Sequence, residues 1–239
     1  MNTISIDGVE ASESLRKRIA HDYNTTLISF SCGKDSIGAW LAIRDKIKVI
    51  PYYCYLVPGL EFVEESLAYY EQFFGCKIIQ LPHPSLYRWL CNCTFLPPER
   101  RGVIEGSTLP MFERSDLLKG LREWQGLPAD TPCASGVRAC DSIIRRVHFK
   151  THGAVNKRES VWYPIWDWNQ ECLLDAIKRS GVKLPVDYLL FARSFDGLDY
   201  RFLKPIKDYF PRDYQRILEY FPLAELELYR QQFSKTTYG

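Results

Sequence analysis

Nothing in this chain stays apolar long enough to cross a bilayer. No run approaches the ~18 residues that a membrane span needs. Residues 1–10 hold neither a basic n-region nor an apolar h-region, so no secretory signal is expected, and the expected location is the cytosol. Charge of one sign is also scarce. The formal net charge is +2, which excludes a global basic field demanding nucleic acid. Two common glycine-rich nucleotide signatures, G-x-x-x-x-G-K-S/T and G-x-G-x-x-G, are both missing. There is no internal repeat and no low-complexity tract. No two cysteines are spaced C-x-x-C, and none follows Cys172 in a chain of 239 residues.

The eight cysteines that are there read as thiols in a reducing compartment, not as a disulfide framework. Cys91, Cys93, Cys133 and Cys140 could be gathered into a metal or iron–sulfur site. Their spacing matches none of the standard ligand patterns, and buried inert thiols are the expectation. With 46% hydrophobic residues the chain can bury one substantial core. The organisation expected is one domain over residues 1–190, with a helical extension over 191–239 packed on it.

The most informative stretch is Ser29-Phe30-Ser31-Cys32-Gly33-Lys34-Asp35-Ser36. An apolar segment precedes it (26–28) and an amphipathic one follows (37–43). That order reads as strand, tight polar loop, helix. Such a loop turns backbone N–H groups and a helix N-terminus toward one point, and such a point binds phosphate. Gly33 is expected to let the backbone approach an oxyanion with no Cβ in the way. Lys34 adds positive charge, and the hydroxyls of Ser31 and Ser36 are donors to phosphate oxygens. Asp35 is a candidate Mg²⁺ ligand if the nucleotide is ATP, or a helix cap.

Further elements follow by the same patterns. Asp7, with Glu10 three positions on, has the form of a capping box for a helix reaching residue 23. Strands are expected over 27–30, 48–56, 77–81 and 134–137, with a short extended segment at 162–165. Helices are expected over 35–45, 61–74, 115–125, 141–148, 169–180, 212–221 and 223–233. Residues 91–106, rich in Pro and Arg, read as an irregular lid or loop. Strands alternating with helices imply an α/β fold: a parallel twisted sheet with right-handed crossovers and helices on both faces.

Ser31-Cys32-Gly33-Lys34-Asp35-Ser36 resembles the S-x-G-K-D-S loop of the PP-loop superfamily, the adenine nucleotide α-hydrolases, and within it the phosphoadenylyl-sulfate (PAPS) reductase family. Two further segments agree. Val57-Pro58-Gly59-Leu60-Glu61-Phe62 resembles that family's D-T-G-x-E-F segment, with Val-Pro in place of Asp-Thr. Gly136-Val137-Arg138-Ala139-Cys140-Asp141-Ser142-Ile143-Ile144-Arg145 resembles G-x-R-x-x-E-S-x-x-R, with Asp141 for Glu. Tyr163-Pro164-Ile165-Trp166-Asp167-Trp168 is similar to a third, P-I/L-x-D-W, where Asp167 or Asn169 is a natural N-cap.

The resemblance implies a Rossmann-like nucleotide-binding domain whose ligand is ATP or PAPS. It implies nucleotide contacts from Ser29, Ser31, Cys32, Gly33, Lys34, Asp35, Ser36, Gly59, Gly136, Arg138, Ser142 and Arg145. Lys34, Arg138 and Arg145 would be the catalytic charges, the two arginines acting as bidentate donors to phosphate or sulfate.

One departure matters. Reductases of this family carry their nucleophilic Cys near the C-terminus, where a redox partner can resolve it; here that stretch has none. The leading expectation is therefore an ATP pyrophosphatase-type enzyme that adenylates an acceptor for sulfur or nitrogen transfer. Its partners would be a sulfur donor and, on one option, a nucleic-acid acceptor. The alternatives are a PAPS or adenylyl-sulfate reductase with relocated cysteine chemistry and a thioredoxin-like reductant, and a nucleotide-binding regulator without turnover. A homo-oligomer fits any of them. The tail segment Arg193 to Arg201 reads either as a lid carrying Arg193 or Arg201 to phosphate, or as a surface turn held by Asp–Arg pairs.

Overall fold

The structure, a computed structural model, describes residues 3–107 and 111–230. In its first part the elements are α1 (Ser12–Asp22), β1 (Thr25–Ser29), α2 (Lys34–Ile43), β2 (Lys48–Tyr55), α3 (Glu61–Phe74), β3 (Ile79–Pro82), α4 (Pro84–Cys91), α5 (Arg101–Gly106) and α6 (Arg114–Trp124). Then come β4 (Cys133–Ala134), α7 (Ile143–His152), β5 (Val155–Asn156), β6 (Val161–Trp162), α8 (Gln170–Ser180), α9 (Asp187–Phe191), α10 (Tyr200–Tyr209) and α11 (Pro211–Tyr220).

The strands form one sheet in the order β3-β2-β1-β4-β6-β5. β1 runs parallel to β2 and β4, and β4 parallel to β6. The fold is α/β with a mostly parallel sheet. The edge departs from the all-parallel expectation, because β5 pairs antiparallel with β6. A parallel crossover needs a dozen or more residues, and the link between β5 and β6 has far fewer, so only a hairpin is open to it. Asn156 closes that hairpin, its Oδ1 accepting from the amides of Arg158 and Glu159 at 3.1 and 3.3 Å.

This strand order positions the site. From β1 the chain builds β2 and β3 on one side, then returns to lay β4 and β6 on the other. The reversal falls between β1 and β4, which are paired through Leu27↔Cys133 and Ile28↔Ala134. The segments leaving their C-terminal ends therefore start side by side, and in open α/β sheets ligands bind at such a switch point.

The chain divides into two compact units. One is Met1–Tyr53, Phe73–Ile79 and Ser115–Leu184; the other is Cys54–Gln72, Gln80–Arg114 and Pro185–Gly239. The core of the first contains Leu27, Ile28, Phe30, Ile37, Trp40, Phe149, Trp162, Trp166 and Leu173, all fully buried. Trp40 stacks on Phe74 with centroids 3.7 Å apart, and Phe30 meets Trp40 edge-on at 4.9 Å. Gly38 is where α2 and α8 touch: a Cβ there would stand 2.2 Å from Leu173 Cδ1. The second unit is built round an aromatic cluster, with Phe62 5.6 Å from Phe195 and 5.4 Å from Phe210, and Phe202 5.1 Å from Phe191.

Several local expectations are revised. α1 starts at Ser12, not at Asp7, and its first amide is capped by Asp167 Oδ2 at 2.9 Å. Glu10 instead pairs with Arg18. α8 is capped as expected, Asn169 Oδ1 accepting from Cys172 N at 2.8 Å. The helix expected from Asp141 starts two residues later, after a 3₁₀ turn at Ala139–Asp141. Residues 91–106, expected to be irregular, contain a 3₁₀ turn at Pro98–Arg100 followed by α5. The last expected helix begins with a 3₁₀ turn at Pro222–Glu225 and is helical over 226–230; its end at 231–233 lies outside the described residues. The Arg193 to Arg201 segment is the paired turn. Arg193 is held by Asp196 and Arg201 by Asp199, which also caps α10.

Candidate functional site: a loop, a buried arginine and a ladder of charge

Residues 29–36 run from the end of β1 into the first turn of α2, as expected. The loop is knit by its own hydroxyls. Ser36 Oγ donates to Gly33 O at 2.8 Å and accepts from Ser31 N at 3.2 Å; Ser31 Oγ accepts from Gly33 N at 3.4 Å. Ser31 and Ser36 are thus engaged inside the loop, where they hold its shape. Ser29 closes β1 and is half-buried. The position that needs special backbone geometry is Cys32, with φ of +57°, while Gly33 sits at −75° in an extended conformation. A left-handed non-glycine residue stores roughly 1–3 kcal/mol of strain, and such strain is concentrated at functional turns.

The segment after β4 is brought onto this loop by Gly136. A Cβ at that position would lie 2.5 Å from the backbone carbon and oxygen of Asp35 and 2.8 Å from Ser36 N. Backbone rests on backbone, and only glycine fits. Two residues on, Arg138 is driven into the interior with 3% of its side chain exposed. Its Nε is 2.9 Å from Asp35 Oδ1 and its Nη2 is 2.8 Å from Asp141 Oδ1. The Nε contact is an ion pair without hydrogen-bond alignment, and Nη1 is buried with no hydrogen-bond partner.

A ladder of alternating charge results. Lys34 Nζ is 3.0 Å from Asp35 Oδ2, Arg138 bridges Asp35 and Asp141, and Arg145 Nη1 is 2.7 Å from Asp141 Oδ2. Three cations and two carboxylates leave a net positive charge. All three expected catalytic cations are gathered here, each already paired with a carboxylate. Asp141, not among the expected site residues, is the hub. Its spacing of three from Arg138 and four from Arg145 was the available signal. Ser142 is the N-cap of α7, its Oγ accepting from Arg145 N at 3.1 Å, which leaves its own proton free to donate.

Gly59, the remaining expected contact, belongs to the second unit. It occupies the turn before α3 with φ of +73°, and a Cβ there would be 3.8 Å from the Arg216 guanidinium. The first amides of α3 are already satisfied. Glu61 N and Phe62 N donate to the buried carboxylate of Asp213 at 2.6 and 3.1 Å.

The donor set bears on metals. Both oxygens of Asp35 face cations, an arrangement that suits a counterion and does not suit a Mg²⁺ ligand. Among the described residues no three His, Cys, Asp or Glu side chains gather as a metal site. None of the eight cysteines is in a disulfide. Cys133 is fully buried in β4, its sulfur 3.8 Å from the Tyr52 hydroxyl. Cys140 is exposed beside the ladder, 3.3 Å from Trp168 O. Its thiol is pushed above the ordinary range, first by burial of the sulfur, with Asp141 and Asp35 adding and Arg138 opposing.

Fold and site together define an α/β protein with a hydroxyl-laced strand-to-helix loop and a buried arginine at the sheet's switch point. No family model and no curated relative matches the chain. Among solved structures it is similar to the U34-tRNA thiolase NcsA from Methanococcus maripaludis with its 4Fe–4S cluster: 12% identity over 94% of this chain and 88% of that one, with a TM-score of 0.46. A likeness of that size carries no functional argument. Among the described residues no helix is long and apolar enough to cross a membrane.

Proposed function

We propose that the loop over 29–36 and the Arg138 segment bind the phosphates of an adenine nucleotide. The protein is then an ATP pyrophosphatase-type enzyme of the PP-loop kind that adenylates an acceptor. The observation that carries this reading is the unpartnered Nη1 of Arg138. A buried donor without an acceptor costs free energy, and a cationic one whose Nε lies 2.9 Å from Asp35, at the end of the strand-to-helix loop, answers to an anion.

In this scheme an acceptor oxygen attacks the α-phosphorus of ATP. The bond between that phosphorus and the bridging oxygen to the β-phosphate breaks, and pyrophosphate leaves. A sulfur or nitrogen nucleophile then displaces AMP from the acceptor. Arg138 and Lys34 stabilise charge on the phosphates, and charge held in place before the reaction begins is what accelerates transfers of this type most. As phosphate approaches, Lys34 and Arg138 exchange part of their hold on Asp35 and Asp141 for the ligand. Both oxygens of Asp35 are engaged by cations, so no step is assigned to a metal held by that carboxylate. The reductase alternative is weaker, since the cysteine beside the ladder has a raised thiol pKa and a nucleophile needs thiolate.

Incubation with ATP and Mg²⁺ tests the reading. Release of pyrophosphate, with AMP or an adenylate, is expected. Sulfite from PAPS with a thiol reductant would replace it by the reductase, and nucleotide binding without either product would replace it by a regulator.

A further inference from the structure

Helix α7 starts at the charge ladder and runs away from it, exposed on nearly every side. Phe149 is its one buried residue, anchored 5.1 Å from the ring of Tyr163 and 5.5 Å from Trp166. From Ser142 to Arg158 there is no carboxylate, while Arg145, Arg146, Lys150, Lys157 and Arg158 give +5 and two of the chain's four histidines fall in the same run. With +2 for the whole chain, everything outside this run is net negative. Arg145 belongs to the ladder. The other four are exposed, and among the described residues none of them makes an ion pair, whereas Arg18, Arg179, Arg201 and Arg216 are all paired.

At the far end of α7, against the edge strand β5, lies a cavity of about 420 Å³ lined by His148, His152, Gly153, Val155, Asn156 and Lys157. The two histidine rings are 4.8 Å apart. A helix of this length spans about 15 Å, the reach of two or three nucleotides, between Arg145 and the cavity.

We infer that α7 and the β5 cavity form a docking surface for the phosphodiester backbone of a nucleic-acid strand. Unpaired cations in an acid-free run take phosphates, the cavity with its imidazole faces and the Asn156 amide takes a nucleoside, and exposed Ile143, Ile144 and Val147 take ribose or base faces. An acidic protein partner would meet the same charge, but would leave the imidazole-lined cavity unexplained. That the bound strand is the acceptor of the adenylyl group rests on the reading above; that it binds does not.

The test is fluorescence anisotropy with labelled single-stranded RNA, single-stranded DNA and duplex DNA, each titrated at several salt concentrations. The full-length protein is compared with an Arg146→Glu/Lys150→Glu/Lys157→Glu variant. Wild type is expected to bind at least one strand type, with log K falling linearly in log salt. The variant should bind at least tenfold more weakly, with a salt slope smaller by about 2, given ~0.7 per phosphate for single strands. Pyrophosphate release from ATP alone should be unchanged in it, which separates failure of this inference from failure of the nucleotide reading. No binding at about 50 mM salt, or equal binding by the variant, would overturn the inference. So would self-association of wild type that is lost in Ile143→Ser/Ile144→Ser without any oligonucleotide binding, which would give the helix to a second copy.

Discussion

Gly136 and Asp35 meet backbone to backbone, close enough that a methyl group on the glycine would stand 2.5 Å from the Asp35 carbonyl. That contact joins the segment after β4 to the first turn of α2 and sets where Arg138 enters. Gly136→Ala is therefore expected to push the two segments apart, at a cost of about 1–3 kcal/mol, the usual range for overpacking. Urea unfolding should show a lower midpoint, and nucleotide binding should fall with it. An unchanged midpoint would mean the two segments are not in contact.

Cys32 tests what the loop needs. Its φ of +57° strains any residue with a Cβ. Cys32→Gly removes both thiol and strain, so stability should be held or raised by up to about 1 kcal/mol, offset in part by the entropy of a more flexible unfolded chain. Pyrophosphate release from ATP should persist. Its complete loss with retained stability would make the Cys32 thiol a reacting group.

His83 gives the second unit a pH dependence. Its Nδ1 accepts from Ser85 N at 3.0 Å and so caps α4. Burial, with Arg114 and Arg88 nearby, holds its pKa below the ordinary 6.5. The folded state thus takes up a proton less readily than the unfolded chain. The contribution is fully present above pH 6.5 and is lost as pH falls through that value toward the folded pKa. His83→Asn keeps an acceptor that does not titrate. Between about pH 7.5 and 5, the wild type should lose stability relative to this variant in denaturant titrations. Parallel curves would contradict the assignment.

Much of the site could be read from residue order. The strand–loop–helix run over 29–36 and the Gly136 to Arg145 segment are local patterns, and both sit at strand ends as read. The pairing between them could not be read. Arg138 finds Asp35 only because β4 lies beside β1, and a two-residue β4 leaves almost no periodic signal. The start of α1 departs from its local pattern for the same kind of reason. Asp7 and Glu10 have the local form of a capping box, but the cap is Asp167, 155 positions from Ser12. Asp167→Ala should cost about 1 kcal/mol as a lost N-cap, with most of it recovered in Asp167→Asn. Equal loss in both variants would move the role from hydrogen bonding to charge, acting on the buried side chain of Arg16.

The central claim is that Arg138, with the loop after β1, holds nucleotide phosphate. Arg138→Met removes the charge while keeping much of the side-chain volume. Asp35 and Asp141, 31% and 19% exposed, remain partly hydrated when left behind. The stability loss should then be about 1–2 kcal/mol, below the 3–5 typical of a fully buried broken pair. The most direct measurement is a calorimetric titration of ATP into wild type and into folded Arg138→Met. Saturable binding by wild type, weakened at least tenfold in the variant, is the predicted result. No binding by wild type, or equal affinity in both proteins, would contradict the account.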